Sequence, residues 1–176
     1  GRLSEVAAGQ NAHRMHFQTY VLRSILADVI DAANQRLLRM THGQYRLERK
    51  EGVADKRQSA GLDLEVFDEN TGCARPMATL SGGESFLAAL ALALGLADVV
   101  TSYAGGIRLD TIFIDEGFGT LDAETLDLAI KTLMDLQKGG RLVGIISHVE
   151  ELKSRIDVRL EVEKGEDGSR ARFVVG

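Results

Sequence analysis

Two adjacent carboxylates, Asp115 and Glu116, end a short apolar stretch over residues 111–114. If that stretch is a strand of an α/β sheet, the acids lie at the edge where such sheets bind ligands. A carboxylate there can hold Mg²⁺ through water, because this ion prefers oxygen ligands and keeps part of its hydration shell. The second carboxylate can orient or deprotonate a water molecule. The same residues alone also fit a strand that simply ends in a polar turn.

A pair of glycines opens a long apolar segment. Gly82 and Gly83 lie between Ser81 and Glu84, and the Ser-x-x-Glu spacing predicts a capping box at a helix N-terminus. That box leaves the glycines unexplained, because each costs about 1 kcal/mol inside a helical turn. Glycine exposes backbone N–H groups that a phosphate can approach at the positive end of a helix. Phosphate binding is therefore a second interpretation of the same residues.

Two further polar residues follow the acids. Asp122 comes shortly after Asp115 and is expected to cap the next helix. His148 follows a second apolar stretch, residues 142–146. If both stretches are parallel strands, His148 shares an edge with Asp115 and Glu116, where its ring can donate to a phosphate oxygen. Otherwise it is a surface residue or a helix cap.

The spacing of apolar residues predicts the elements that position these side chains. Helices are predicted over about 13–40, 84–100 and 123–137, and strands over 44–50, 62–67, 111–115, 142–146, 158–162 and 172–175. Loops are expected at 51–61 and 70–77, and a hairpin turn at 165–168. Uninterrupted apolar strands on either side of a helix predict a buried, parallel βαβ unit. The expected fold is therefore α/β, with antiparallel strands beside the parallel core.

The composition excludes several classes of protein. With 176 residues, of which 44% are hydrophobic, the chain is expected to be one globular domain or one lobe of a larger domain. Its single cysteine, Cys73, excludes an intramolecular disulfide and fits a reducing cytosol. The longest apolar run, residues 86–97, is shorter than the roughly 20 residues that span a bilayer, so no membrane partner is expected.

The net charge of −5 is unevenly distributed along the sequence. Residues 1–60 hold ten Lys/Arg and six Asp/Glu, whereas residues 61–176 hold eleven and twenty. The basic end can face a polyanion or an acidic partner. The alternative is a solvated helix and hairpin that happen to be basic.

In combination, these motifs resemble the signature motif, Walker B motif, D-loop and switch histidine of ABC-type ATPases. The match runs from about Leu80 to Val149. The Ala/Leu-rich segment after Phe86 and the sequence of residues 115–122 narrow it to the C-terminal head lobe of SbcC-type DNA-repair exonuclease ATPases. The long helix and strands that precede the motifs suit that family's coiled-coil exit. The resemblance implies an α/β fold, with a parallel βαβ core, an N-terminal helix, antiparallel strands and a C-terminal hairpin.

A phosphate-binding P-loop is missing, because the pattern G-x-x-x-x-G-K-[ST] occurs nowhere in the sequence. The chain by itself therefore lacks the groups that cradle the β- and γ-phosphates. In the family that the chain resembles, the Walker A loop lies on an N-terminal lobe, separated in sequence by a long coiled coil. The resemblance thus implies half of an ATPase site, and no ATP hydrolysis by this fragment alone.

The resemblance implies that ATP and Mg²⁺ are the cofactors. It also implies a role for each of the three polar residues that follow the two apolar strands. Asp115 would bind Mg²⁺ through water, Glu116 would act as the general base, and His148 would contact the γ-phosphate.

At the signature segment, Ser81, Gly82, Gly83 and Glu84 would serve the nucleotide held on an opposite head. Asp122 would lie at the seam between two closed heads and couple the two sites.

Boundaries and partners follow from the same resemblance. Residues 1–41 would form the coiled-coil exit helix and residues 42–176 the C-terminal ATPase lobe. The implied partners are the N-terminal lobe of the same protein, a second head in a homodimer, an SbcD-type nuclease subunit and double-stranded DNA. The expected location is the cytoplasm, in association with the nucleoid. Candidate contacts to DNA or to the nuclease are Arg36, Arg39, Arg46 and Arg49.

Two other classes of ATPase share part of this pattern. A head of the SMC type, which organises chromosomes, also has a split site and a coiled coil. That group usually has lysine after the signature glutamate, where this chain has Ser85. A transporter ATPase usually has glutamine in place of Glu84 and a helical segment before the signature. The strand-like pattern over residues 44–67 argues against a transporter.

Overall fold

The computed structural model describes residues 17–50, 62–105, 109–165 and 168–176. The helices are α1 (Phe17–Met40), α2 (Gly82–Tyr103), α3 (Ala123–Lys138) and α4 (Glu150–Lys153). The strands are β1 (Tyr45–Arg49), β2 (Leu64–Asp68), β3 (Cys73–Pro76), β4 (Thr111–Asp115), β5 (Leu142–Ile146), β6 (Val158–Gly165) and β7 (Gly168–Val175). Short 3₁₀ turns cover Met77–Thr79 and Phe118–Thr120. Residues 13–16 of the first predicted helix and the predicted loop 51–61 lie outside the described residues.

The described strands form three sheets, and their pairing confirms the predicted α/β fold. Strands β4 and β5 pair in parallel across the α3 connection, with Asp115 opposite Ile146. Strands β6 and β7 form the predicted hairpin, whereas β1, β2 and β3 form an antiparallel sheet in that order. The prediction of a loop over residues 70–77 is wrong, because β3 lies within it. A four-residue edge strand that ends at Pro76 offers too few alternating positions to show a period.

Helices α1 and α2 cross at backbone contact, which fixes the centre of the core. A Cβ atom at Gly95 would lie 2.7 Å from the carbonyl oxygen of Val29 and 2.8 Å from the nitrogen of Ala33. Only glycine allows the two helices to approach this closely. The buried residues of α1 are all in its C-terminal part, namely Val29, Ile30, Ala33, Leu37 and Met40. This half of α1 is thus part of the core that supports α2.

Helix α2 extends beyond both ends of the apolar run of residues 86–97. Within the described residues, it is the one helix long and apolar enough to cross a membrane by length and composition. Its buried residues include Leu87, Leu90, Ala91 and Leu94, and they belong to the same core as the buried part of α1. The expectation that this segment is too short to span a bilayer is therefore wrong as a matter of length.

The parallel sheet is covered on only one face by the described part of the chain. Ile112, Ile114, Val143 and Ile145 pack against the core. On the opposite face Phe113 is 70% exposed. The prediction of buried strands is therefore wrong for one face, because continuous apolar strands require cover on both sides. The exposed residues of this sheet and of the hairpin include Leu142, Ile146, Leu160, Val162, Phe173 and Val175.

Asp98 connects α1, α2 and the start of β5 through two arginines. Its carboxylate oxygens lie 2.5 Å from a guanidinium nitrogen of Arg36 and 2.7 Å from one of Arg141. All three side chains are at most one-third exposed. One aspartate therefore holds helix α1 in place relative to the strand that leads to His148.

Candidate functional site

The two acids lie where the backbone leaves the parallel sheet. Asp115 is the last residue of β4, and the N–H of Glu116 still donates to the carbonyl oxygen of Ile146 at 2.9 Å. Glu116 then takes a left-handed conformation with φ of 60°, and Gly117 follows with φ of 94°. A residue other than glycine adopts such a φ at a cost of about 1–2 kcal/mol. The sheet thus places Glu116 in a strained turn just past its edge.

Glu116 and His148 meet at this edge, as their positions after neighbouring strands predict. The Nδ1 atom of His148 lies 3.0 Å from one carboxylate oxygen of Glu116 and 3.1 Å from the other. The Glu116 side chain is 51% exposed and that of His148 is 82% exposed. A carboxylate and an imidazole ring are therefore paired at a solvent-exposed surface.

Asp115 is adjacent to this pair. Its side chain is in no ion pair or hydrogen bond within the part of the chain that the structure describes. The same residues contain no group of three His, Cys, Asp or Glu side chains that could hold a metal alone. One open carboxylate fits a Mg²⁺ ion that takes its other oxygens from water and from a substrate phosphate.

The turn after the acids is held in place by two aromatic rings. Phe118 is fully buried and makes an edge-to-face contact with Phe86 of α2, with ring centroids 4.9 Å apart. A Cβ atom at Gly117 would lie 2.2 Å from the Phe86 ring. Glycine is therefore required at residue 117 for its conformation and for space, and Phe86 fixes the turn that presents Glu116.

The predicted capping box at the start of α2 is present. The Ser81 hydroxyl oxygen accepts from the N–H of Glu84 at 3.3 Å, and the Ser81 N–H donates to Glu84 Oε2 at 2.7 Å. The other oxygen, Oε1, accepts from the Tyr45 hydroxyl at 2.6 Å. Partial burial alone would raise the pKa of Glu84. The hydrogen bonds from Tyr45 and Ser81, together with nearby Arg75, outweigh it and hold that pKa below its ordinary value.

The two glycines of this segment differ in what surrounds them. A Cβ atom at Gly83 would lie 2.9 Å from the carbonyl oxygen of Thr120, which is too close for any other residue. At Gly82 the nearest atom would be a Thr120 methyl carbon at 3.5 Å, an ordinary contact. Packing against the 118–120 turn therefore explains Gly83 but leaves Gly82 without a steric reason. A cavity of about 290 Å³ lies beside this contact, lined in part by Ser81 and Asp122.

Asp122 caps α3, as predicted. Its carboxylate accepts from the backbone N–H of Thr125 at 2.9 Å and from the Thr125 hydroxyl at 2.8 Å. The hydrogen bond from the Thr125 N–H is the main cause that lowers the pKa of Asp122. Asp122 is therefore ionised at neutral pH and lies two residues beyond the turn that contacts Gly83.

The four candidate arginines differ in the contacts that their side chains make. Arg36 is bound to Asp98, and Arg46 forms ion pairs with Glu48 and Glu69 while stacking on the Phe67 ring. Arg39 and Arg49 form no ion pair among the described residues. The structure thus gives Arg36 and Arg46 structural contacts. It leaves Arg39 and Arg49 open to other partners.

Two residues that contact the signature segment were not among the sequence candidates. Tyr45 occupies a buried position in β1, where its alternation with Leu47 predicts only a strand. Arg75 lies in β3 and reaches Glu84 at 3.9 Å. Neither has a local sequence signal, because both are joined to the site only through pairing of strands that are distant in sequence.

Comparison with known proteins shows what this chain is similar to. A family model described as "SbcC/RAD50-like, Walker B motif" matches residues 51–135. The C subunit of nuclease SbcCD from Vibrio cholerae is 56% identical over 174 residues, which is 99% of this chain. The protein of the same name from Staphylococcus epidermidis strain RP62A is 50% identical over 171 residues, or 97% of the chain. These matches show that the chain is similar to SbcC/RAD50-like proteins.

These matches confirm the resemblance drawn from the motifs. The chain spans 17% of the length of these curated relatives and corresponds to a C-terminal part of them. It is thus similar to one portion of a much longer protein.

Solved structures with the same fold are SMC ATPase heads. One chain, described under "Structural biochemistry of ATP-driven dimerization and DNA stimulated activation of SMC ATPases", matches with a TM-score of 0.67 and 14% identity. The match covers 89% of each chain. The Smc head of Pyrococcus furiosus, solved with the C-terminal domain of ScpA, matches with a TM-score of 0.62 and 15% identity, over 89% of this chain and 37% of that one. At these identities, the likeness establishes the fold and nothing further.

Proposed function

We propose that this chain is the C-terminal half of an SbcC-type ATPase head, and that it completes an ATP site together with an N-terminal lobe carrying the Walker A loop. The observation that carries the proposal is the contact between Glu116 and His148 at the end of two parallel strands, beside the open carboxylate of Asp115. A general base, a phosphate donor and an oxygen ligand for a cation are therefore adjacent.

Glu116 acts as the general base in this proposal. Its exposed carboxylate takes a proton from the water that attacks the γ-phosphorus of ATP, while the bond from that phosphorus to the β–γ bridging oxygen breaks and ADP leaves. The hydrogen bond with His148 Nδ1 keeps the carboxylate at the sheet edge. When doubly protonated, the His148 ring donates to Glu116 from one nitrogen and to a γ-phosphate oxygen from the other.

Asp115 is the residue that would hold Mg²⁺, through water. When bound, the ion neutralises charge on the β- and γ-phosphates. Asp115 is the exposed last residue of β4, directly before Glu116 in the chain, and its register partner Ile146 lies two residues before His148.

The signature segment would serve the nucleotide of a second head. The Ser81 hydroxyl oxygen accepts the capping bond from Glu84, so its hydrogen remains available to donate to a phosphate oxygen. Capping and phosphate binding are therefore compatible. Gly82, which packing does not require, leaves its backbone open to the same phosphate. Asp122 would then lie at the seam, next to the turn that contacts Gly83.

The uncovered apolar faces are the surfaces that the N-terminal lobe would occupy. Phe113 and Ile146 lie on the open side of the parallel sheet, and Phe173 and Val175 lie on the hairpin. Apolar strands of parallel sheets are normally covered on both faces. A second lobe that extends the sheet and packs on this side would bury them and bring the Walker A loop to Asp115.

The partners outside the head follow from the relatives, which are named as one of the subunits of a nuclease, SbcCD. We propose that ATP-driven closure of two heads, in a homodimer, controls an associated SbcD-type nuclease that processes double-stranded DNA ends or hairpins. Arg39 and Arg49 are the candidate contacts for DNA or nuclease that remain open. The proposed location is the cytoplasm, in association with the nucleoid.

Mixing this chain with its N-terminal lobe tests the proposal. The mixture is expected to hydrolyse ATP in the presence of Mg²⁺, whereas the 176-residue chain alone is expected to be inactive, because it has no Walker A loop. Robust hydrolysis by the chain alone would refute the half-site. No hydrolysis by a correctly folded mixture would refute the ATPase itself.

A further inference from the structure

The signature serine is connected to the end of the exit helix through a short chain of hydrogen bonds. The Thr41 hydroxyl, next to the last residue of α1, accepts from the backbone N–H of Tyr45 at 3.2 Å. The Tyr45 hydroxyl donates to Glu84 Oε1 at 2.6 Å. Glu84 Oε2 in turn accepts from the N–H of Ser81 at 2.7 Å. Four residues thus join α1 and β1 to the first turn of α2.

Tyr45 holds the orientation of the Glu84 carboxylate more firmly than a capping box alone does. Tyr45 as a whole is only 6% exposed, and Gln44 Nε2 donates to its hydroxyl oxygen at 2.7 Å. The hydroxyl hydrogen is therefore directed to Glu84. Arg75 lies over the Tyr45 ring and also reaches the second oxygen of Glu84. The buried ring has no freedom to follow Glu84 to another rotamer without moving β1.

We infer that Tyr45 is a positioning residue for Ser81, and that it couples the base of the exit helix to the signature segment. The inference rests on the proposed function, since it assigns a regulator to the same phosphate contact. With Tyr45 in place, one Glu84 oxygen is held by β1 and the other holds the Ser81 backbone. A shift of α1 at Thr41 is carried to Ser81, and closure of the heads on ATP is carried back to α1.

The test uses the full-length protein that contains this chain, with the substitution Tyr45→Phe. The variant keeps the buried ring and removes only the hydroxyl, so the fold is expected to persist. We expect the ATP concentration for half-maximal head dimerisation to rise by about tenfold, the order of effect of losing one hydrogen bond to a charged group. The maximal hydrolysis rate at saturating ATP is expected to change by less than about twofold, because Glu116 and His148 are untouched.

Tyr103→Phe is the matched control. Its hydroxyl also donates to a carboxylate at 2.6 Å, that of Asp28, and also links α2 to α1, but at the opposite end of α2 from Ser81. We expect this variant to dimerise at the same ATP concentration as the unmodified protein. An equal shift in both variants would show a general effect of weakened helix packing and would overturn the inference.

A double-mutant cycle with Glu84→Gln tests whether Tyr45 acts through Glu84. The glutamine side chain accepts a hydrogen bond from only one of the two donors, the Tyr45 hydroxyl and the Ser81 N–H, since its amide nitrogen is not an acceptor. In that background, Tyr45→Phe is expected to shift the half-maximal ATP concentration by less than about threefold. A full additional tenfold shift would mean that Tyr45 acts elsewhere, and the inference would fall.

The substitution Ser81→Arg separates failure of the inference from failure of the proposed function. If it abolishes ATP-driven dimerisation while Tyr45→Phe behaves like the unmodified protein, the signature contact stands and the role of Tyr45 is refuted. If Ser81→Arg leaves dimerisation unchanged, the signature contact is wrong, and the positioning role falls with it.

Discussion

Glu116 and His148 are 32 residues apart in the sequence, yet the carboxylate of one lies 3.0 Å from Nδ1 of the other. The contact exists because β4 and β5 are adjacent parallel strands that end at the same level, with Asp115 opposite Ile146. Parallel pairing brings to one edge whatever residues follow the strands. The base and the phosphate donor of the proposed site are therefore products of a single βαβ unit.

Removal of the base is expected to separate binding from hydrolysis. In the head assembled from this chain and its N-terminal lobe, Glu116→Gln should lower the hydrolysis rate by at least about 100-fold, the usual contribution of a general base. ATP-driven dimerisation should persist, because the amide is the same size as the carboxylate. Rates measured at saturating ATP, together with gel filtration with ATP and Mg²⁺, check both expectations.

Glu150→Gln is the control for that experiment. Glu150 is an exposed acid in α4 just beyond His148, and its partner is Lys153. This variant should hydrolyse ATP at the unmodified rate. A normal rate in the Glu116→Gln head would show that another group accepts the proton.

Bulk at the signature serine should prevent closure of the heads. Ser81→Arg places a long cationic side chain where the Ser81 hydroxyl would contact a phosphate. We therefore expect no ATP-dependent dimer in the assembled head, with ATP binding to each monomer retained. Ser102→Arg is the matched control, because Ser102 is exposed near the other end of the same helix. Dimerisation of the Ser81→Arg head at the normal ATP concentration would contradict the trans contact.

The sequence predicted the βαβ unit and the capping residues because their signals are local. Each signal is encoded in a few neighbouring residues: the continuous apolar strands, the Ser-x-x-Glu box and the aspartate before α3. It did not predict β3, because four residues that end in Pro76 show no alternation. It also missed Tyr45, whose contact with Glu84 spans 39 residues and depends on how β1 packs relative to the start of α2.

The exposed face of the parallel sheet could not be predicted from the strand pattern alone. Phe113 is in a strand whose apolar run indicates burial on both sides. The described part of the chain supplies cover for one side only. The apolar run of β4 therefore indicates a sheet face that needs cover. In the proposed function, the N-terminal lobe supplies that cover.

The turn after Glu116 should be among the least tolerant positions of the fold. Gly117→Ala introduces a Cβ 2.2 Å from the Phe86 ring, at a φ of 94° that is costly for any other residue. We expect a loss of about 3 kcal/mol or more, from strain and displacement of the buried pair Phe86 and Phe118. Urea denaturation of the assembled head measures it.

Gly105→Ala isolates the contribution of backbone strain. Gly105 also has a positive φ, of 59°, but a Cβ there meets nothing within 4 Å. This variant should lose only about 1 kcal/mol. Equal losses at residues 105 and 117 would mean that the Phe86 ring moves aside freely and does not hold the turn.

The contact of Asp98 with two arginines should contribute more to stability than a surface ion pair. Asp98→Asn removes the charge that Arg36 and Arg141 share, and both guanidinium groups are mostly buried. We expect a loss of about 1–3 kcal/mol in the free energy of unfolding. Asp135→Asn is the control, since its pair with Lys138 is exposed and should contribute less than about 0.5 kcal/mol. Similar urea midpoints for the two variants would count against the connection between α1 and β5.

The lowered pKa of Glu84 predicts a pH-dependent contribution to stability. Because the pKa is lower in the folded protein than in the unfolded chain, the capping network stabilises the fold fully at neutral pH. That contribution is lost as the pH falls through the folded pKa, since protonated Glu84 no longer accepts from both Ser81 and Tyr45. At pH 7, Glu84→Gln should therefore be less stable by about 1 kcal/mol. The difference should disappear at a pH below the folded pKa of Glu84. Urea midpoints of both proteins at the two pH values check this, and a difference that stayed constant with pH would mean that the ionised form of Glu84 is not what the network requires.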